Sequence, residues 1–430
     1  SAGTITLTNG DVTLGANSGS ITDNGSGSYT LVQGCDGIVL AAAYADSFDA
    51  DTFDVVLGAD GLDATAAVGG SFDLGSGTWG CEGDWLADGI GSWNDGASLV
   101  VLTGGTALSP NLILNTPLYG FYNLVFASGA FHQLSGDINV FNDGDVYGSV
   151  DLNSSDFSIV FGDASIYGPI SDSGAGSNLV LGYGDTYIDN AATCDPDTVQ
   201  VFAGNNSTFT IGSGILIPPI QCLSAGIGAG NRTFATGTQL TDIIFVRSHI
   251  GAISYTFTDT VILGDLSESG ALSPPTLIGT CTFDSTGNQS FNLPTANTSA
   301  LTWSGTRTSG TISVVGASEL NIAASTTLTT DIDMSATSTV GGLGKLRTES
   351  LTLAAGGSLD VANLELVDFD ATTIPTDYVG NLGLVASGTL GSDVTPDLSG
   401  TYDLTGLRLI CEGIDNLIID CATNDPTFSI

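Results

Sequence analysis

The chain has 430 residues, with 46 Asp and Glu against 6 Lys and Arg for a formal net charge of −40, yet 42% of its residues are hydrophobic. That mixture excludes a solvated acidic tail. The scarcity of cations excludes binding to a phosphate backbone, which needs clustered Lys and Arg to release counterions, and it disfavours an anionic membrane surface.

The acids are nearly all Asp, since Glu occurs only at Glu82, Glu268, Glu319, Glu349, Glu365 and Glu412, and Lys345 is the single lysine. The 59 glycines follow no G-X-Y period, which excludes collagen. No apolar run approaches the ~20 residues of a membrane helix, so the chain is not expected to span a membrane. It opens at Ser1 and contains only Met334, as expected of a chain that lost its initiator or a signal peptide.

In chain order, Thr4–Thr8 and Val12–Leu14 read as strands flanking an Asn9-Gly10-Asp11 turn, a hairpin signal. Tyr29–Val32 reads as another strand, and Ile38–Tyr44 as either a strand or one helical turn. From about residue 70 short apolar runs recur, among them Leu99–Leu102, Leu124–Phe126, Ile138–Phe141, Phe157–Phe161 and Leu179–Leu181. Gly, Asn, Asp or Ser separates them, and no crossover-length helix intervenes.

The fold expected is therefore all-β, a β-solenoid or stacked β-strand architecture with little helix; a β-sandwich array is the competing topology. A short internal likeness favours the solenoid: Leu134-Ser-Gly-Asp137-Ile138 matches Leu328-Thr-Thr-Asp331-Ile332. The proline pairs Pro218-Pro219 and Pro274-Pro275 lack ladder donors and suggest boundaries. The expected division is an N-terminal β segment (1–74), a solenoid-like region (75–217), a connecting β region (220–273) and a second solenoid-like region with a docking strand (276–430). Residues 296–340, rich in Ser, Thr and Ala, read as exposed strand surface.

Seven cysteines show no CxxC, and with only His132 and His249 zinc is not expected. Spacing pairs Cys194 with Cys222 and Cys411 with Cys421 within the chain, which leaves Cys35, Cys81 and Cys281 as candidates for disulfides between chains. Buried, inert thiols are the alternative. Sequons lie at Asn24, Asn153, Asn205, Asn206, Asn231, Asn288 and Asn297, candidates for glycosylation.

Asp46, Asp49, Asp51 and Asp54 form the densest carboxylate cluster and the candidate calcium site, with solvated turn Asp as the competing reading. No other cofactor is expected. His132 reads as a strand-surface residue. Trp79, Trp85 and Trp93 read as partly buried, with a sugar-stacking face as the alternative. Lys345 with Arg347 is the only cationic pair placed to serve a lyase, and no nucleophile elbow is present, so no catalytic residue is assigned.

Tyr122-Asn-Leu124, Leu134-Ser-Gly-Asp-Ile138 and Ser149-Val-Asp-Leu-Asn153 resemble rungs of right-handed β-helix surface proteins of cells and viral fibres. The Asp-rich, Lys-poor, Cys-containing composition is similar to that of sheath proteins of filamentous methanogenic archaea, which form disulfide-strengthened envelopes. These resemblances imply a secreted, non-enzymatic structural protein whose partners are copies of itself, assembled through strand edges and disulfides. The alternatives are a viral tail fibre or capsid spike on the virion surface, and a β-helix carbohydrate-active enzyme.

Overall fold

A computed structural model describes residues 5–7, 12–14, 20–23, 27–30, 35–40, 47–50, 54–66, 71–106, 111–114, 120–153, 157–172, 177–182, 184–196, 198–202, 207–212, 220–223, 230–235, 238–247, 253–262, 264–270, 276–283, 289–293, 300–367, 378, 380–387, 393–394, 401–403, 408–412, 416–417 and 427–429. Their regular structure is entirely β, and strands pair in parallel with strands about 18 to 25 residues further along the chain. The chain is a parallel β-solenoid. It divides into two compact units, Ser1–Gln221 and Cys222–Ile430.

Period-two alternation explains why these sequences stack. One inward column of the first unit runs Leu57–Cys81–Leu102–Phe126–Val146–Ile166–Ile188–Ile211, each residue in register with the next. All eight are buried. A second column, Ile38–Leu62–Trp85–Ile113–Leu134, is also fully buried. In the second unit Leu328–Leu346–Leu364–Leu382 forms the equivalent ladder. Burying a Leu, Ile or Phe contributes about 1.5–3 kcal/mol, and no rung can bury its inner face alone, so stacking supplies the core.

Aromatic rings reinforce the early rungs. Phe48, Phe72 and Trp93 stack one above the other, with centroids 4.5 and 5.4 Å apart. Trp79 and Trp85 are fully buried beside them, and Trp79 Nε1 donates to the Leu74 carbonyl at 3.0 Å. The tryptophans are thus core, and the sugar-stacking alternative falls away.

Several local expectations change. Ile5–Leu7 and Val12–Leu14 do not pair with each other across Asn9-Gly10. The first pairs in parallel with Cys35–Leu40; the second pairs in parallel with Ser47–Asp49 and antiparallel with Ser20–Asp23. Parallel stacking of whole rungs overrides the local turn signal. Cys35–Leu40 is a strand, which resolves the ambiguity at Ile38. Within 300–334, strands Ala300–Val314 and Thr327–Met334 bury Trp303, Ile312, Leu328 and Ile332, so this segment is core-forming on one face.

The division between units falls next to the first proline pair. The parallel ladder continues past the second: strand Ile253–Ile262 pairs with Thr276–Phe283. It also continues past residue 74, where Val55 stands in register with Trp79.

The predominance of Asp has a structural cause. In the first unit the Oδ1 atoms of Asp54, Asp84, Asp137, Asp163 and Asp185 accept from the backbone N–H of Thr78, Leu112, Ser158, Asp185 and Thr208 at 2.7–2.8 Å. In the second, Asp242, Asp265 and Asp331 accept from Asp265, Ser290 and Ser350 at the same distances. Each bond spans one rung step, about 4.8 Å, at a corner just before an inward-facing residue. A second set, Asp63, Asp73, Asp151 and Asp189, accepts from the N–H two residues on in Asx turns. Both roles suit a carboxylate on one methylene, and the longer Glu reaches neither as directly.

We expect Asp331→Ala to release the Ser350 amide and destabilise that corner by about 1–2 kcal/mol, because the lost acceptor is charged. Asp331→Asn, which keeps an oxygen at Oδ1, should lose less than half of that. Amide hydrogen exchange at Ser350 checks it: equal protection in wild type and Asp331→Ala would contradict the bond's role.

Candidate functional site

A groove of about 920 Å³ opens on the first unit across four successive rungs. Its floor is the outward column Asn139–Val160–Val180–Gln200, set in register by strands Ile138–Val146, Ser158–Ile166, Asn178–Leu181 and Thr198–Phe202. Ser158, Asp163 and Asp185 form part of the lining. Gln200 Nε2 donates to Asn178 Oδ1 at 3.3 Å, which ties one end of the floor to the preceding rung.

One wall comes from a β-bulge. Between the registered pairs Val140/Phe161 and Asp143/Asp163, the first strand carries Phe141 and Asn142 where its neighbour carries Gly162 alone. A bulge redirects side chains, and here the Phe141 ring is left 57% exposed at the groove. Asn142 Nδ2 donates to Asn123 Oδ1 at 2.7 Å. Glycine keeps the opposite side low: a Cβ at Gly162 would lie 2.6 Å from the Phe141 carbonyl oxygen, and one at Gly184 only 1.6 Å from Asp163 Oδ1.

Beyond the groove stands an exposed tyrosine stripe. Tyr147 and Tyr167 stack with centroids 4.8 Å apart and planes 3° from parallel, and Tyr187 continues the stripe at 5.8 Å. All three are exposed at 37–44%. The Tyr147 phenol is held above its ordinary range by the nearby Asp145 charge, and that of Tyr187 by its hydrogen bond to Asp189. Asp143, between groove and stripe, is also shifted up, first by burial and then by Asp145 and Asp163.

The candidate residues read from sequence are not brought together here. Of the calcium cluster, Asp46 and Asp51 lie outside the described residues, Asp49 is half-buried, and Asp54 directs Oδ1 to the Thr78 amide. Among the described residues no three His, Cys, Asp or Glu side chains are grouped to hold a metal. Of the sequons, Asn24, Asn205, Asn206, Asn288 and Asn297 lie outside the described residues. Asn153 donates from Nδ2 to the Leu134 carbonyl, and Asn231 Oδ1 accepts from Ser254 and Thr256.

The expected Cys194–Cys222 bridge requires correction. Cys194 and Cys222, expected as an intrachain bridge, are both free and buried. Cys81 and Cys281, expected to link chains, are also free, and each is only 1% exposed. They occupy inward ladder positions, Cys81 between Leu57 and Leu102, where a thiol acts as a small hydrophobe. Burial pushes Cys81 and Cys194 up to about 12 and raises Cys222 and Cys281 well above the ordinary thiol range, so none supplies the thiolate that exchange requires. The side chains of Cys35, Cys411 and Cys421 lie outside those described.

Two further assignments shift. His132 is fully buried, not a surface residue, because it takes an inward position of strand Phe131–Leu134. Lys345 and Arg347, the lyase-like pair, both engage Glu365, at 2.5 and 3.4 Å.

The fold and surface together define an acidic parallel β-solenoid with a neutral-to-acidic groove and an aromatic stripe. Comparison with protein-family models, curated proteins and solved structures finds no match for the chain.

Proposed function

We propose that the protein is an extracellular, non-catalytic structural subunit that assembles with copies of itself into a cell-envelope layer, sheath or surface filament. The observation that carries this reading is the Tyr147–Tyr167–Tyr187 stripe. It places an exposed aromatic ring on each of three consecutive rungs of a parallel ladder, and tyrosine is enriched at protein interfaces. Groove carboxylates support the non-catalytic part, since Asp163 and Asp185 each direct Oδ1 to a backbone amide of the next rung.

With Cys81 and Cys281 buried, Cys35 is the remaining candidate for a covalent link between chains, and Cys411–Cys421 the candidate bridge within one. A charge of −40 opposes association, so assembly should strengthen as salt screens it. Negative-stain images of the protein in 0.5 M salt, about fivefold above the ionic strength at which the Debye length is ~10 Å, should show sheets, hoops or tubes. The Tyr147→Ser/Tyr167→Ser/Tyr187→Ser variant should remain dispersed. Discrete unattached rods would favour a fibre or spike, and a monodisperse monomer at every salt concentration would overturn the proposal.

A further inference from the structure

We propose that the bulge-walled groove of the first unit binds a linear, uncharged glycan. The groove spans three rung steps of about 4.8 Å, and a pyranose repeat is of comparable length, so it accommodates about three sugar units along the ladder. Its volume, about 920 Å³, lies within the range of built ligand sites.

The lining matches a sugar and little else. Val160 and Val180 make a narrow apolar floor for the C–H face of a pyranose, with an amide at each end, Asn139 and Gln200. Amides both donate and accept, and so complement hydroxyls, which do the same. Phe141, turned outward by its bulge, offers a ring to the C–H face at the groove wall.

Charge then selects among polymers. The lining contains no Lys or Arg, and it does contain Asp163 and Asp185. Nucleic acids, uronic-acid polymers and phosphate-bearing chains would all be repelled. A hydroxyl-rich neutral chain donates to those carboxylates without a charge cost. An extended peptide would seek unpaired strand edges, whereas the groove floor consists of strands paired on both sides. The proposal stands apart from self-assembly: it names what the outer surface holds besides copies of the chain.

The test titrates the full-length protein by calorimetry with cellohexaose, maltohexaose, mannohexaose, chitohexaose (N-acetylated) and, as the anionic counterpart, hexagalacturonate. At least one neutral hexamer should bind with a micromolar to low millimolar dissociation constant, and hexagalacturonate at least tenfold more weakly. Phe141→Ala and Gln200→Ala should each weaken the neutral ligand about tenfold, while Tyr147→Ser, on the stripe beyond the groove, leaves it unchanged. Circular dichroism keeps the variants honest as folded proteins. No binding by any neutral hexamer, preference for hexagalacturonate, or binding untouched by both groove variants would each overturn the proposal. Cleavage of a bound hexamer would overturn the non-catalytic reading above while leaving the glycan site standing, and failed assembly would leave it standing too.

Discussion

Glu365→Gln is expected to destabilise the second unit by about 2–3 kcal/mol. Glu365 contacts two of the chain's six cations: Lys345 Nζ lies 2.5 Å from Oε1 and Arg347 Nη1 lies 3.4 Å from Oε2. The carboxylate is buried, with side-chain exposure of 5%, while Lys345 and Arg347 keep 31% and 26%. Removing one partner of a buried pair costs about 3–5 kcal/mol, and the partial exposure of both cations screens part of that. The bridge spans strands Thr339–Thr348 and Ser358–Val367, so the loss should appear as faster amide exchange in both.

A second variant separates charge pairing from packing. Replacing Lys345, Arg347 and Glu365 together with Met removes the desolvation penalty along with the attraction, and should leave stability within about 1 kcal/mol of wild type. If Glu365→Gln is as stable as wild type, the bridge is surface decoration. If the triple variant loses as much as the single one, the aliphatic stems matter and the charges do not.

How far the sequence led is clearest at Asp137 and Asp331. The likeness between Leu134-Ser-Gly-Asp137-Ile138 and Leu328-Thr-Thr-Asp331-Ile332 marks one physical device in each unit. The Leu and Ile face the core, and the Asp accepts from the N–H of Ser158 or Ser350 one rung ahead. The parallel solenoid was legible because strand period and corner chemistry agree there. Cysteine pairing was not, because sequence spacing carries no information about which face of a strand a side chain takes. The Asn9-Gly10 hairpin failed for a related reason: non-local rung pairing outweighs a two-residue turn preference.

The groove was hidden because it depends on a single inserted residue at Phe141-Asn142, which no periodic template registers. The stripe did leave a signal. Asp143-Gly-Asp-Val-Tyr147-Gly148 and Asp163-Ala-Ser-Ile-Tyr167-Gly168 share Asp-x-x-x-Tyr-Gly at a fixed offset, and that repeat places Tyr147 over Tyr167.

His132 carries the other large effect, and it depends on pH. The ring is fully buried against Phe126, centroids 5.7 Å apart, and in register with Val150; neither Nδ1 nor Nε2 has a hydrogen-bond partner. Burial alone lowers its pKa from 6.5 to about 4. The sign follows from which state holds the proton. Between pH 6.5 and 4 the unfolded chain protonates this histidine and the folded chain resists, so stability present above 6.5 is lost as pH falls towards 4. At about 1.4 kcal/mol per pKa unit, the loss reaches about 3 kcal/mol at pH 4.

His132→Leu removes that linkage and also two unsatisfied ring nitrogens, while keeping an apolar side chain against Phe126. The variant should therefore be more stable than wild type at pH 7, and its advantage should widen by about 3 kcal/mol by pH 4. Comparing the two proteins at each pH cancels the titration of the many carboxylates they share. Urea midpoints measured at half-unit steps from pH 7 to pH 4 decide the matter. An advantage that stays constant over that range would mean that water or a counter-charge reaches the ring, and that His132 is not the dry, neutral core residue described here.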